Sequence, residues 1–149
     1  MNVLMVCLGN ICRSPMAEGI LRHKVTQSGL NWKVDSAGTG SWHVGDPPDD
    51  RARATMRSHG LDISDLRARQ FSPQDFDRFD LILTMDQENY QQVMQHAQSE
   101  ADRNKIHPIL NYAYPGQNRS VPDPYFNDRF QEVYALLDAS CEALIRAHQ

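Results

Sequence analysis

Long apolar runs are missing from this 149-residue chain, so no segment is a candidate for a membrane-spanning helix. The apolar stretch at the N-terminus is far too short for a secretory signal. Cysteine is scarce: three residues, an odd number, do not make the disulfide framework of a secreted domain. No Cys/His cluster has the spacing of a zinc site, so no metal is expected. Neither sign of charge dominates, with 15 Lys and Arg against 19 Asp and Glu and a net charge of -4. That balance argues against nucleic acid or a membrane surface as partner, and against a disordered tail. Repeats, low-complexity segments and linkers are absent too. These absences leave one domain over residues 1–149 in a cytoplasmic setting. A chain of this length buries roughly two thirds of its unfolded surface and needs neither disulfide nor metal for stability.

What is present gathers in Val3-Leu4-Met5-Val6-Cys7-Leu8-Gly9-Asn10-Ile11-Cys12-Arg13-Ser14-Pro15. Val3 to Val6 is continuously apolar, the pattern of a strand buried on both faces. Gly9 and Asn10 accept positive φ most easily, which predicts a tight loop. Ser14 suits an N-cap and Pro15 a first helical residue, so a helix is expected to begin there. Unpaired N–H groups and the positive end of a helix dipole then converge on the loop, a place that binds phosphate-like anions. Into it the chain puts Cys7 at the strand end and Arg13 six residues later, the spacing C-x5-R. Such surroundings stabilise a thiolate, the nucleophilic form of cysteine, and the planar fork of arginine matches two oxygens of a phosphoryl group.

The remaining chain alternates helices and strands. A helical period runs from Pro15 to about Gln27 through Met16, Ile20, Leu21 and Val25. Trp32 to Ala37 reads as a second strand, followed by a glycine-rich loop, Gly38 to Gly45, that carries Trp42. Pro47-Pro48-Asp49-Asp50 opens a helix that closes at Arg57, His59 and Gly60. After a polar connection come a short helix at Ser72–Phe76, a third strand at Asp80–Met85, and a helix capped by Asp86 running to about Ala97. Lys105 to Leu110 reads as a fourth strand, shortened by Pro108, and Asn111 to Pro124 as a long loop. The last helix, from about Asn127, sets Phe130, Val133, Tyr134, Leu137, Cys141 and Leu144 on one face, which makes Cys141 a core residue. The expected fold is α/β: a single-domain, three-layer arrangement with a parallel sheet between helices, and its site at the C-terminal strand ends. The six histidines are scattered and are read as surface or satisfied residues.

A thiolate that attacks a phosphate monoester must expel an alkoxide or phenoxide, which leaves poorly unless an acid protonates it. Asp123 in Val121-Pro122-Asp123-Pro124-Tyr125-Phe126 is the candidate, its backbone restricted by a proline on each side. On local sequence alone, Asp-Pro is equally ordinary turn chemistry.

Cys7-Leu8-Gly9-Asn10-Ile11-Cys12-Arg13-Ser14 near one end, with Asp123-Pro124-Tyr125 near the other, resembles the low-molecular-weight protein tyrosine phosphatase family. Asp35-Ser36-Ala37-Gly38-Thr39, Trp42, Pro47-Pro48-Asp49, Ala68-Arg69-Gln70 and Met85-Asp86 follow the family's pattern in the same order. The resemblance implies a four-stranded parallel sheet, no cofactor, and hydrolysis of phosphotyrosine in two steps through phosphocysteine, with inorganic phosphate as product. It makes Cys7 the nucleophile and Asp123 the general acid and then base. Arg13 and the loop from Leu8 through Gly9, Asn10, Ile11, Cys12 and Ser14 become the phosphate cradle, with Ser14 bonding to the sulfur and Asn10 holding the turn. Leu8, Trp42 and Tyr125 would grip the substrate's ring. Cys12 is left with two readings, a spectator or a thiol that captures oxidised Cys7 as a reversible disulfide.

Two positions depart from the family pattern. Leu66 stands where many bacterial members carry a histidine that braces the loop, leaving Asp65 or Ser64 to substitute. Phe126 follows Tyr125 where many relatives have two tyrosines. The partner implied is a phosphotyrosine-containing protein, with a bacterial tyrosine kinase as one such substrate by analogy, and the chain is expected as a monomer or weak homodimer. Tyr112, Tyr114 and Tyr125 near the site mouth are open to substrate contact, phosphorylation or self-association. Three rivals are weighed. An arginine phosphatase on the same scaffold typically has threonine where this chain has Ile11, whose bulk favours an aryl ester. A thiol-coupled arsenate reductase needs two relay cysteines, and Leu83 to Asp102 contains none. A non-catalytic phosphate-binding module has no use for both a thiol and an acid.

Overall fold

A computed structural model describes all residues 1–149. In chain order it contains β1 (Asn2–Cys7), α1 (Arg13–Gln27), β2 (Lys33–Gly38), α2 (Asp50–Ser58), α3 (Asp75–Arg78) and β3 (Leu81–Thr84). There follow α4 (Gln87–Gln95), α5 (Glu100–Arg103), β4 (Ile106–Pro108), α6 (Leu110–Ala113), α7 (Pro124–Asn127) and α8 (Phe130–Ala147). The four strands form one parallel sheet in the order β2-β1-β3-β4.

The two-residue period of β1 explains the layers. Val3, Met5 and Cys7 point into one core, packed with α1 residues such as Met16 and Ile20 and α8 residues such as Val133 and Leu137. Leu4 and Val6 point the opposite way, into a smaller core with Phe71, Phe76, Ile82, Val93 and Ile106. A strand covered on both faces has no position for a polar side chain, hence its unbroken apolar sequence. Because β1 is central, its C-terminal end opens between β2 and β3, and Cys7 stands there. No helix is long and apolar enough to cross a membrane.

Several expectations need correction. Helix α1 starts at Arg13, its N-cap is Cys12 without a side-chain cap bond, and Ser14 lies inside the first turn. Ser14 is therefore not the cap, because its hydroxyl is engaged with the loop instead. Asn10 takes a positive φ of 57°, whereas Gly9 does not. Only one left-handed residue is needed to turn the loop. β4 ends at Pro108, so Leu110, expected as the end of the strand, instead opens α6, which runs into what reads as loop. The one-turn helices α5, α6 and α7 are too short to show a period. Asp49 and Asp86 cap α2 and α4, accepting from Arg51 N and Asn89 N.

Candidate active site

The loop between β1 and α1 has its carbonyls tied outward. Cys7 O accepts from Thr39 N, Leu8 O from Gly40 N, Ile11 O from Asp49 N and Cys12 O from Met16 N, all within 2.8–3.2 Å. The amides of Leu8, Gly9, Ile11 and Cys12 have no acceptor within the protein. A ring of unpaired N–H groups at a helix start is an anion nest. Glycine at 38 is required for the close approach of β2: a Cβ there would lie 2.8 Å from Leu8 O and 3.1 Å from Gly9 C.

Cys7 is buried at the floor, with its Sγ 3.0 Å from Ser14 Oγ and accepting from Asn10 N at 3.3 Å. Asn10 Nδ2 donates to Ser14 Oγ at 2.7 Å, so the serine's own proton is available for the sulfur, with Ala37 O a longer alternative at 3.5 Å. The same Nδ2 donates to Ser36 Oγ at 2.9 Å, and Asn10 Oδ1 accepts from Arg69 N at 3.0 Å. Asn10 is thus tied to three other segments, which holds its left-handed backbone in place. Neither Asp65 nor Ser64 takes part in that bracing. Leu66 packs against the larger core, and the bracing of Asn10 comes from Ser14, Ser36 and the Arg69 amide.

Arg13, only 3% exposed, lies with Nη1 2.7 Å from Asp86 Oδ2 and 3.0 Å from Val121 O, and with Nη2 3.5 Å from Asp123 Oδ2. Burial opposes its charge, but Cys7, Asp86 and Asp123 outweigh that and hold its pKa above the ordinary guanidinium value. Asp86 divides its oxygens, Oδ1 capping α4 and Oδ2 fixing Arg13. Asp123 accepts from Tyr125 N through Oδ1 at 3.1 Å, which sets its rotamer.

Above the floor is a pocket of about 200 Å³. Cys7, Cys12 and Arg13 form its base, Leu8, Gly9 and Ile11 one wall, and Asp123, Tyr125, Trp42, His43 and Phe126 the mouth. Trp42 and Phe126 are 73% and 79% exposed, so the rim is apolar and open while the base is polar and buried. The expected residues therefore come together, except that Asn10 and Ser14 stand behind the thiol and not on the pocket wall.

The family model for low molecular weight phosphotyrosine protein phosphatase matches residues 2–149. The chain belongs to that family. It is 44% identical over 149 residues to a putative low molecular weight protein-tyrosine-phosphatase of Synechocystis, covering 97% of this chain and 94% of the relative. The crystal structure of YfkJ from Bacillus subtilis is similar with a TM-score of 0.93 at 42% identity, covering 99% of this chain and 93% of that one. A Drosophila arginine phosphatase is similar with a TM-score of 0.92 at 37% identity, covering 100% and 98%.

Within this phosphatase-family fold, sequence reasoning missed Asp86 beyond its capping role, and it missed His43, Phe126 and Glu18. His43 lines the mouth with Nδ1 3.1 Å from Asp46 Oδ2. Glu18 is 1% exposed and accepts from Ser36 Oγ at 2.6 Å, ending a hydrogen-bonded chain from Cys7 through Ser14, Asn10 and Ser36. Arg22 Nη2 lies 2.6 Å from Glu18 Oε2, yet it directs its hydrogen bond to Val34 O, so Oε2 has a cation beside it and no hydrogen bond. Burial pushes the Glu18 carboxyl up to about 7, against the pull of Ser36 and Arg22. Nothing in the sequence signals this, because the first half of α1 is buried nearly all round.

Proposed function

We propose that this chain, a single catalytic domain over residues 1–149, hydrolyses phosphotyrosine in proteins through a phosphocysteine intermediate. One observation carries the reading: a buried thiol, bonded to a hydroxyl and an amide, sits in a nest of unpaired N–H groups, with a fixed guanidinium beside it and a separate carboxyl at the pocket mouth. The Cys7 thiolate attacks phosphorus as the bond to the tyrosyl oxygen breaks, and Asp123 gives its proton to the departing oxygen. The amides and Arg13 hold the charge that builds on the equatorial oxygens, an arrangement prepared before substrate arrives. Asp123, now a carboxylate, takes a proton from water, whose oxygen attacks phosphorus. The S–P bond breaks, inorganic phosphate leaves, and the thiolate returns to its bond with Ser14. Leu8, Trp42 and Tyr125 flank the aryl ring in this reading.

The test is acid quench during turnover followed by mass spectrometry, which should find one phosphoryl group on Cys7. Cys7→Ser should lower turnover on the order of 10⁴-fold or more and abolish that adduct. Full activity of that variant would overturn the mechanism.

The likeness to an arginine phosphatase favours a second reading, phosphoarginine as substrate. Ile11 on the pocket wall, apolar and without a hydroxyl, supports the aryl ester over it. Comparable kcat/KM for phosphoarginine and phosphotyrosine would reverse that choice. Arsenate reduction has no support, since Cys141 is fully buried in α8 with its sulfur 4.0 Å from Ala17 O. The three cysteines are free, which suits a reducing compartment and a place in the cytoplasm. By analogy a bacterial tyrosine kinase is one phosphotyrosine-containing protein it acts on, and the chain acts as a monomer or weak homodimer. Cys12, buried beside Cys7, is assigned the capture of an oxidised Cys7 as a disulfide.

A further inference from the structure

The segment that carries Asp123 makes few polar contacts with the rest of the molecule, although Pro124 and Phe130 within it are buried. Val121 N donates to Met85 O at 2.7 Å, but the backbone N–H groups from Asp123 to Phe130 donate within the segment: Phe126 N to Asp123 O, Asp128 N to Pro124 O and Phe130 N to Asp128 O. Its side-chain bonds are local as well, from Tyr125 N to Asp123 and from Arg129 N to Asn127. Apart from Arg129, whose carbonyl accepts from Val133 N and whose side chain pairs with Glu132 in α8, the polar contacts that leave it go to two cations. One is Arg13, 3.5 Å from Asp123, which belongs to the phosphate site. The other is Arg51, at the start of α2.

Arg51 is gripped on its own side by a two-point contact with Asp49, Nε to Oδ1 and Nη2 to Oδ2, both at 3.1 Å. Asp49 is joined in turn to the phosphate loop, its amide donating to Ile11 O at 2.8 Å. On the far side Arg51 Nη1 pairs with Asp128 and donates to Tyr125 O at 3.4 Å. Its Cζ stands 5.4 Å from the centroid of Tyr125 and 4.9 Å from that of Phe130, so two aromatic rings pack on the guanidinium. Asp128, at φ 60°, ends α7 by turning its carboxylate toward this cation.

We propose that Arg51 is a positioning residue that latches the Asp123 segment to α2 and, through Asp49, to the Cys7–Arg13 loop, setting the distance between proton donor and nucleophile. The proposal rests on the reading of Asp123 as general acid. A guanidinium suits the task because one planar fork reaches two carboxylates and a carbonyl at once, which an ammonium cannot do with fixed geometry. A donor displaced by about 1 Å loses much of its effect, and the loss is felt only where the leaving group needs a proton.

The experiment compares kcat/KM, which reports the step through phenol release, on two esters. Phenyl phosphate has a strongly basic leaving oxygen, and dinitrophenyl phosphate a weakly basic one that departs unaided. Arg51→Gln should lose about tenfold on the first and less than about twofold on the second, with the inhibition constant of inorganic phosphate unchanged. Asp128→Asn, an exposed change that cuts the latch from the other side, should lose in the same direction, and the double variant should be no worse than Arg51→Gln. Equal losses on both esters, a parallel loss of phosphate affinity, or no loss in either variant would overturn the latch. Asp123→Asn separates this from the underlying reading. If it discriminates between the esters and Arg51→Gln does not, the latch alone falls. If Asp123→Asn fails to discriminate, the acid assignment falls and the latch with it.

Discussion

Glu18 is the residue whose chemistry departs furthest from its surroundings. A carboxyl held near 7 when folded and near 4.5 when unfolded binds its proton more tightly in the native state. Its favourable contribution is complete below the unfolded value and is lost as pH rises toward 7, so above 7 the ionised group opposes folding by about 3 kcal/mol. Glu18→Gln keeps an acceptor for Ser36 without the charge. The variant should be more stable than the parent by about 1–3 kcal/mol at pH 8 in urea unfolding, with the difference shrinking toward pH 5. The opposite trend would place the ionised form as the favourable one. Cys12 permits a second test at this scale. Burial, then Asp49, Cys7 and Asp123, raise its pKa well above that of an ordinary thiol, so it is not itself the group that peroxide attacks first. Peroxide treatment should inactivate the protein reversibly with thiol reductant, and Cys12→Ser should convert this to largely irreversible loss. Equal recovery of both proteins would remove the protective role.

At the scale of elements, the tight loop after β1 was legible because Cys7, Asn10 and Arg13 each carry a local signal, whereas Gly9, also read as a turn residue, does not take a positive φ. What holds the loop was not legible. Ser36 and the Arg69 amide come from segments far along the chain, and no local pattern reports that they meet at Asn10. Asp86 shows the same division. Its capping of α4 is a local property and was readable, whereas its contact with Arg13 spans 73 positions. The two roles separate by mutation. Asp86→Asn keeps an oxygen for Asn89 N but leaves the buried Arg13 charge less balanced, and Asp86→Ala loses both. Chemical denaturation should find the alanine variant less stable than the asparagine variant by about 1 kcal/mol, the contribution of the cap. Equal stabilities would mean that the cap contributes nothing beyond the ion pair.

At the scale of the molecule, two cores share one sheet, and neither has another surface to pack on. Leu4 faces the smaller and Leu137 the larger, both fully buried, so truncation of either to alanine should destabilise the whole by about 2–5 kcal/mol. Unfolding followed by tryptophan fluorescence, where half-buried Trp32 packs edge-on to His148, should coincide with the loss of helical circular dichroism. Separate transitions would show that the two cores unfold independently.

The sequence by itself determined the α/β alternation, the buried central strand and the cradle that follows it, because hydrophobic period, turn residues and a short motif are all local. It offered Asp123 as the candidate acid through the chemistry's need for a proton donor and the family resemblance, since Asp-Pro alone is equally ordinary turn chemistry. Tertiary structure alone decided which groups hold these in place: Ser36 and Arg69 on Asn10, Asp86 on Arg13, Arg51 on the Asp123 segment, and Glu18 buried at the end of the chain of bonds from Cys7. The physical reason is that a hydrogen bond or ion pair acts over a few ångströms in space, whatever the separation along the chain. The period and capping rules read from sequence reach only across the next turn.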